Sequence, residues 1–252
     1  MERASRFEIL PAIDLRGGRV VRLRRGDFEH ETAYSDDPAE MARGFAIAGA
    51  RWIHVVDLDG ARAGNPVQRE SIRSILAAAG EGTRVEVAGG LRTVDAVTDV
   101  LAAGASRAVL GTAALANAAL VGALVSTHGA DRIAVAIDVR DGRAVGHGWM
   151  AGTAGVDAAI AIEALAGVGV TTFEVTAIER DGMLEGPDLG LYDRLVQLDA
   201  GAIIASGGIT TLDDLRDLRA HGCAGAILGR ALYEGRLDLA AAVGLAELGE
   251  AR

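Results

Sequence analysis

One cysteine, Cys223, is all the chain of 252 residues holds, so no disulfide framework can staple it and a reducing cytoplasm suits it. Aromatic residues make up 4%, although half of all residues are apolar. The core must therefore be built from Ala, Val, Leu and Ile rather than from rings. Basic residues are outnumbered, 25 against 35 acidic, for a formal charge of −10. Such a balance argues against nucleic-acid binding, which draws on a basic surface. No window approaches the ~20 uninterrupted apolar residues of a membrane span. The start, "MERASRFEIL", lacks the apolar stretch and cleavage site of a secretory leader. No Ser/Pro/Gly-rich or charge-rich linker interrupts residues 1–252, so one domain is expected.

What is present is alternation. Eight short aliphatic runs read as strands: "FEILPAID" (7–14), "WIHVVDL" (52–58), "RVEVA" (84–88), "RAVLG" (107–111), "RIAVAID" (132–138), "TTFEVTAI" (171–178), "GAIIAS" (201–206) and "AGAILG" (224–229). Continuous aliphatic character is what strands buried on both faces show. Between them lie helix-period segments such as "TVDAVTDVLAAGA" and "TLDDLRDLRAHG", several opening on Thr, Asp or Asn and closing on Gly. Eight strand-then-helix units in this length predict an α/β fold, a (β/α)8 barrel; a doubly wound open sheet is the alternative.

Two internal repeats favour the barrel. "PAIDLRGGRVVRL" (11–23) returns as "VAIDVRDGRAVGH" (135–147), with an aspartate at the same point of each. Residues 87–115 align without gaps to 205–233, with 11 of 29 positions identical. The first repeat marks strands 1 and 5; the second marks the ends of strands 3 and 4 and of 7 and 8. Two four-unit halves, about 1–125 and 126–252, would set equivalent residues on opposite sides of one barrel mouth.

At that mouth the matched glycines come first. Gly89, Gly90 and Gly111 with Thr112 in one half answer to Gly207, Gly208 and Gly229 with Arg230 in the other. Glycine admits close backbone approach and helix N-termini offer N–H groups to anions, so each set reads as a phosphate site. Ordinary turn glycines are the competing reading. Diametric placement implies a small molecule with a phosphate at each end.

The carboxylates come next. Asp14 and Asp138 close strands 1 and 5, where capping is the plain role and acid–base work on opposite faces of a substrate the chemical one. Asp181 and Thr176, after and on strand 6, join the same rim. No His/Cys/Asp spacing points to a metal. Arg22 and Arg24 are expected to alternate outward in the charged 15–37 segment, a solvated hairpin or a lid, where either can reach an anion; Arg92 is a further anion-binding candidate. Trp149, in the 139–155 loop, suits ligand stacking or packing equally. His54, inside strand 2, reads more readily as a hydrogen-bonded core histidine than as a catalyst.

Taken in order, "LPAIDLRGGRVVRLRRGD", "WIHVVDLDGA", "AGGLRT", "LGTAAL", "AIDVRDGR", "TAIERDGMLEGPD", "ASGGIT" and "AILGRALYEG" resemble the phosphoribosylformimino-5-aminoimidazole carboxamide ribotide isomerases of histidine biosynthesis, across about residues 7–236. The resemblance implies a monomeric, cytoplasmic isomerase without cofactor or metal, acting on a bisphosphorylated ribonucleotide by an Amadori rearrangement. It implies Asp14 as general base, Asp138 as general acid, Thr176 and Asp181 in support, and Trp149 stacked on substrate. Three alternatives stay open. The paralogous cyclase typically has C-L-D-V at strand 1 and Lys where this chain has Arg22. The dual-substrate isomerases of some actinobacteria also act on phosphoribosylanthranilate and are close in composition, but place Arg where His147 stands here. A non-catalytic phosphate-binding barrel is the third, and the three aspartates speak against it.

Overall fold

The computed structural model describes residues 7–24, 27–146 and 155–247. Eight parallel strands form the frame: β1 (Glu8–Arg16), β2 (Trp52–Asp57), β3 (Arg84–Ala88), β4 (Arg107–Leu110), β5 (Ile133–Arg140), β6 (Thr172–Ala177), β7 (Ala202–Ser206) and β8 (Gly225–Leu228). Each pairs in parallel with the next, and β8 returns to β1 through Glu8↔Gly225 to Pro11↔Leu228. Closure leaves this sheet no edge and settles the choice against an open sheet: the fold is a (β/α)8 barrel.

Outward-facing strand residues such as Ile13, Ile53, Val87 and Phe173 pack with the helices in one large core. Inside the barrel lie two small clusters, Leu10, Ala12, Trp52, Ile204 and Ile227 in one, Ala88, Val109 and Ala134 in the other. The small side chains of the second cluster leave room for charge. His54, Glu86, Arg107 and Glu174 fill the rest of the interior, all buried.

The first repeat now has a physical explanation. β1 and β5 do not stop at the barrel rim but run past it into antiparallel hairpins. Gly17 and Gly18 (φ 56° and 78°) turn β1 back as Arg19–Arg24, which pairs in turn with Asp27–Ser35. Asp141 and Gly142 (φ 48° and 73°) turn β5 back as Arg143–Val145. Positive φ at both turn residues is what a tight two-residue hairpin needs, and Gly-Gly and Asp-Gly supply it. Asp14 pairs with Val21 and Asp138 with Val145, the same register 124 positions apart. The segment expected as a solvated hairpin or lid is thus a strand extension of the barrel. Arg22, on its first return strand, does not face outward as expected: its guanidinium turns in to Asp14. The side chain of Arg24 lies outside the described residues.

The second repeat is duplicated helix for helix. Val94–Ala102 and Leu212–Ala220 follow β3 and β7, capped by Thr93 and Thr211, whose hydroxyls accept from the backbone N–H three residues on. Thr112–Ala116 and Arg230–Tyr233 follow β4 and β8. Among the described residues, no helix is long and apolar enough to cross a membrane.

Candidate active site

The C-terminal ends of the strands bring Asp14, Asp138, Thr176 and Asp181 to one mouth. Asp14 is buried at the end of β1, and Arg22 donates to its Oδ2 at 2.7 Å. The second Nη of Arg22 lies 3.5 Å from Asp181 Oδ1, so one guanidinium bridges two carboxylates. Burial alone would lower the Arg22 pKa; Asp14 and Asp181 more than reverse that, holding it firmly charged. Burial pushes the Asp181 carboxyl up, against the pull of Arg22. Tyr233, after β8, seals this corner: its hydroxyl donates to the Ala12 carbonyl at 2.6 Å, and its ring sits 4.7 Å from that of Tyr34. Across the mouth, half-buried Asp138 is register neighbour to Thr176, which neighbours Ser206 on β7.

The glycine pairs match in backbone as well as in sequence. Gly89 and Gly90 have φ of 98° and 73°; Gly207 and Gly208 have 94° and 82°. A Cβ on Gly89 would strike the Asp57 carbonyl, and one on Gly207 the Ala177 carbonyl. Gly90 and Gly208 lie equally close to the backbone of the loops after β2 and β6. Close packing of these loops therefore requires the four glycines before any ligand is considered. Gly111 differs. Its φ of −94° and ψ of −117° match the −111° and −109° of Gly229, yet a Cβ there would meet open space. At Gly229 the near neighbour is the Arg22 guanidinium, linking that cradle to both carboxylates.

The other candidates scatter. Arg92 is exposed and donates to the Ala61 carbonyl at 2.9 Å. Arg230 donates through Nη1 to the Gly182 carbonyl and through Nε to Glu234, both at 2.5 Å. Trp149 and His147 lie outside the described residues.

Beneath the mouth is an ionic network that the sequence reading assigned only at His54. Its Nδ1 lies 2.7 Å from Glu86 Oε1 and 3.5 Å from Glu174 Oε2, and Arg107 grips Glu86 Oε2 through Nε (2.8 Å) and Nη2. The Arg107 guanidinium in turn covers the Trp52 ring, 4.3 Å from its centroid. Burial alone would raise Glu86, but Arg107 and His54 override it and hold it near 2. Burial and the neighbouring Glu86 push Glu174 up to about 8, and both its oxygens lack a hydrogen-bond partner. Burial alone would lower His54; Glu174 and Glu86 raise it to about 9. Donor atoms of His54, Glu86 and Glu174 lie within 4.8 Å of one another, near enough to hold a cation. Arg107 already neutralises Glu86, and His54 and Glu174 both keep their protons at neutral pH, so the set has no surplus negative charge for a cation and reads as a proton-holding network. The signal was there to find: a glutamate inside "RVEVA", another inside "TTFEVTAI", each a charge in an aliphatic strand.

Comparison with known proteins agrees with this architecture. The family model described as "Histidine biosynthesis protein" matches residues 8–238. A relative from Moorella thermoacetica is 47% identical over 245 residues, 96% of this chain and 99% of its own length. Relatives from Thermomicrobium roseum (91% of this chain, 93% of theirs) and Roseiflexus castenholzii (92% and 97%) are each 48% identical. All three carry the name 1-(5-phosphoribosyl)-5-((5-phosphoribosylamino)methylideneamino) imidazole-4-carboxamide isomerase.

Proposed function

Because the chain belongs to the histidine biosynthesis protein family, we propose that it catalyses the isomerisation its relatives are named for. It is an isomerase that converts the aminoaldose, phosphoribosylformimino-5-aminoimidazole carboxamide ribotide, to the aminoketose by an Amadori rearrangement. The observation that carries the site assignment is the matched register of Asp14 and Asp138, each at a strand end facing a hairpin valine, between two glycine cradles of equal backbone geometry.

Asp138 acts as general acid and protonates the ribose ring oxygen; the C1′–O bond breaks and the amine lone pair forms a Schiff base. Asp14 acts as general base and takes the C2′ proton, and the C2′–H electron pair gives an enolamine. Tautomerisation of the enolamine yields the ketose. Each proton transfer contributes about 10²–10⁴-fold, and the sequence of steps consumes no electrons. Thr176 and Asp181 support the two aspartates, Arg22 ties Asp14 and Asp181 together, and Trp149 stacks on the substrate. One phosphate rests at Gly89, Gly90, Gly111 and Thr112, with Arg92 near its rim. The other rests at Gly207, Gly208, Gly229 and Arg230. Open space over Gly111 supports the first cradle.

The chain works as a monomer in the cytoplasm, a single domain over 1–252 with half-barrels meeting near residue 125. Kinship with the dual-substrate isomerases rests on composition, whereas His147 stands where those place an Arg. Shorter and without the two-pronged fork of a guanidinium, His147 is a poor clamp for the carboxylate of phosphoribosylanthranilate. Assay of the purified protein with both substrates tests the reading. Turnover of the aminoaldose with weak or absent conversion of phosphoribosylanthranilate is expected. No turnover of the aminoaldose would sink the assignment, and comparable kcat/KM for both would move it to the dual enzymes.

A further inference from the structure

Both halves set an arginine on a carbonyl of the corresponding mouth loop (Arg92 on Ala61, Arg230 on Gly182), but they differ in what anchors that loop at the strand end. After β2, the loop is held from below by a carboxylate at the strand end. Asp57, fully buried, accepts from Gly60 N (2.6 Å), Val67 N (2.6 Å) and Gln68 N (2.8 Å). β6 ends at the matched position in Ala177, whose side chain can accept nothing. Yet the loop after β6 is the one that carries Asp181. Besides Ile178 N on the Val139 carbonyl and the Arg22–Asp181 ion pair, two of its described fastenings come from the second glycine cradle. Gly186 N donates to the Gly208 carbonyl at 3.1 Å, and Arg230 donates to the carbonyl of Gly182, next to Asp181. Glu234, one helical turn on, braces the same guanidinium. The first half has Thr112 in place of Arg230.

We propose that Arg230 is a positioning residue for Asp181, acting through the Gly182 carbonyl, and that a phosphate seated at Gly208 and Gly229 tightens this clamp. The substrate's remote end would then help to set the acid–base site, which is how binding energy away from the reacting atoms is turned into rate. A buried carboxylate such as Asp57 cannot do this, because no ligand reaches it. A half-buried arginine at the edge of an anion cradle can. The inference rests on the functional reading above, in which that cradle takes one phosphate end.

The test compares Arg230→Thr, which installs the residue of the first half, with Arg230→Lys and with the wild-type protein. For Arg230→Thr, kcat on the aminoaldose should fall on the order of 10²-fold, the scale of a small misplacement of a catalytic group, and KM should rise as well because a phosphate contact goes with it. The limb of the pH–rate profile that reports Asp181 should shift. Arg230→Lys, which keeps one donor for the carbonyl, should recover part of kcat. Inorganic phosphate should slow amide hydrogen exchange across 179–186 in the wild-type protein and not in Arg230→Thr. A raised KM with intact kcat would show that Arg230 merely binds phosphate and would overturn the proposal, as would unchanged exchange and kinetics. If Arg230→Thr does not fold, Glu234→Gln decides, with a smaller loss of kcat expected and an unchanged kcat counting against the clamp. An inactive wild-type protein would sink the functional reading, and the exchange experiment would still judge the clamp.

Discussion

Asp14 and Asp138 carry the heaviest demand placed on any single residue here. Substitution by Asn keeps their shape and removes their proton transfer. Asp14→Asn and Asp138→Asn should each lower kcat at least about 10²-fold while substrate binding is largely kept. Steady-state kinetics and binding titration check this, and a variant keeping more than about a tenth of wild-type kcat would remove that residue from the mechanism. The buried network gives a second expectation. His54 and Glu174 hold their protons to higher pH in the folded chain than in the unfolded one, about 9 against 6.5 and about 8 against 4.5. Those protons favour folding, so stability declines as pH rises through the range in which the coupled pair gives them up. Glu86 has the opposite sign: held near 2, it stabilises above 4.5 and that contribution is lost as pH falls through 2. Thermal melts should therefore show Tm falling from pH 6 to 9.5, and Glu174→Gln should flatten the fall. An unchanged slope in the variant would mean that Glu174 does not share the proton.

Elements were legible where local chemistry decides them. The eight aliphatic runs match β1–β8 to within about two residues at most ends, because burial on both faces selects Val, Ile, Leu and Ala. The N-cap threonines of the two matched helices were equally readable. The extension past β5 reads in sequence as a loop, and the one past β1 only as a solvated hairpin or a lid, since its return strand Arg19–Arg24 is rich in arginine. It becomes a strand because Arg22 is neutralised by Asp14 and Asp181, partners distant in sequence or hidden until the chain folds. Asp57 was missed likewise, because an aspartate before Leu-Asp-Gly looks like a plain turn residue. With three backbone donors on one buried carboxylate, Asp57→Asn must leave a donor unpaired. It should cost about 1.5–3 kcal/mol of stability, the range for hydrogen bonds to charged groups. Urea unfolding of the variant measures this; a loss within about 0.5 kcal/mol, typical of a surface change, would refute the clamp role.

For the whole molecule, the twofold duplication makes a prediction that no single residue makes. Crystals grown with phosphate or a substrate analogue should hold two anions related by the internal pseudo-twofold axis, one over Gly111 and Thr112 and one over Gly229 and Arg230. The Arg22 guanidinium, which lies against Gly229 here, should then shift off that backbone. Ordered anions confined to unrelated surface positions would defeat the symmetry argument. The sequence by itself determined the alternation of strand and helix, the duplication, and the pairing of Asp14 with Asp138, because burial, helix capping and a repeat are written in neighbouring residues. Only the tertiary structure decided which charges meet. Closing eight strands into a barrel brings Glu174 across to His54 and Glu86, turns Arg22 inward onto two aspartates, and lays Arg230 on the loop of Asp181. Those contacts join residues from 8 to 159 positions apart along the chain. Removing those charges from water costs energy that only their mutual attraction and hydrogen bonds offset, and no local pattern records that balance.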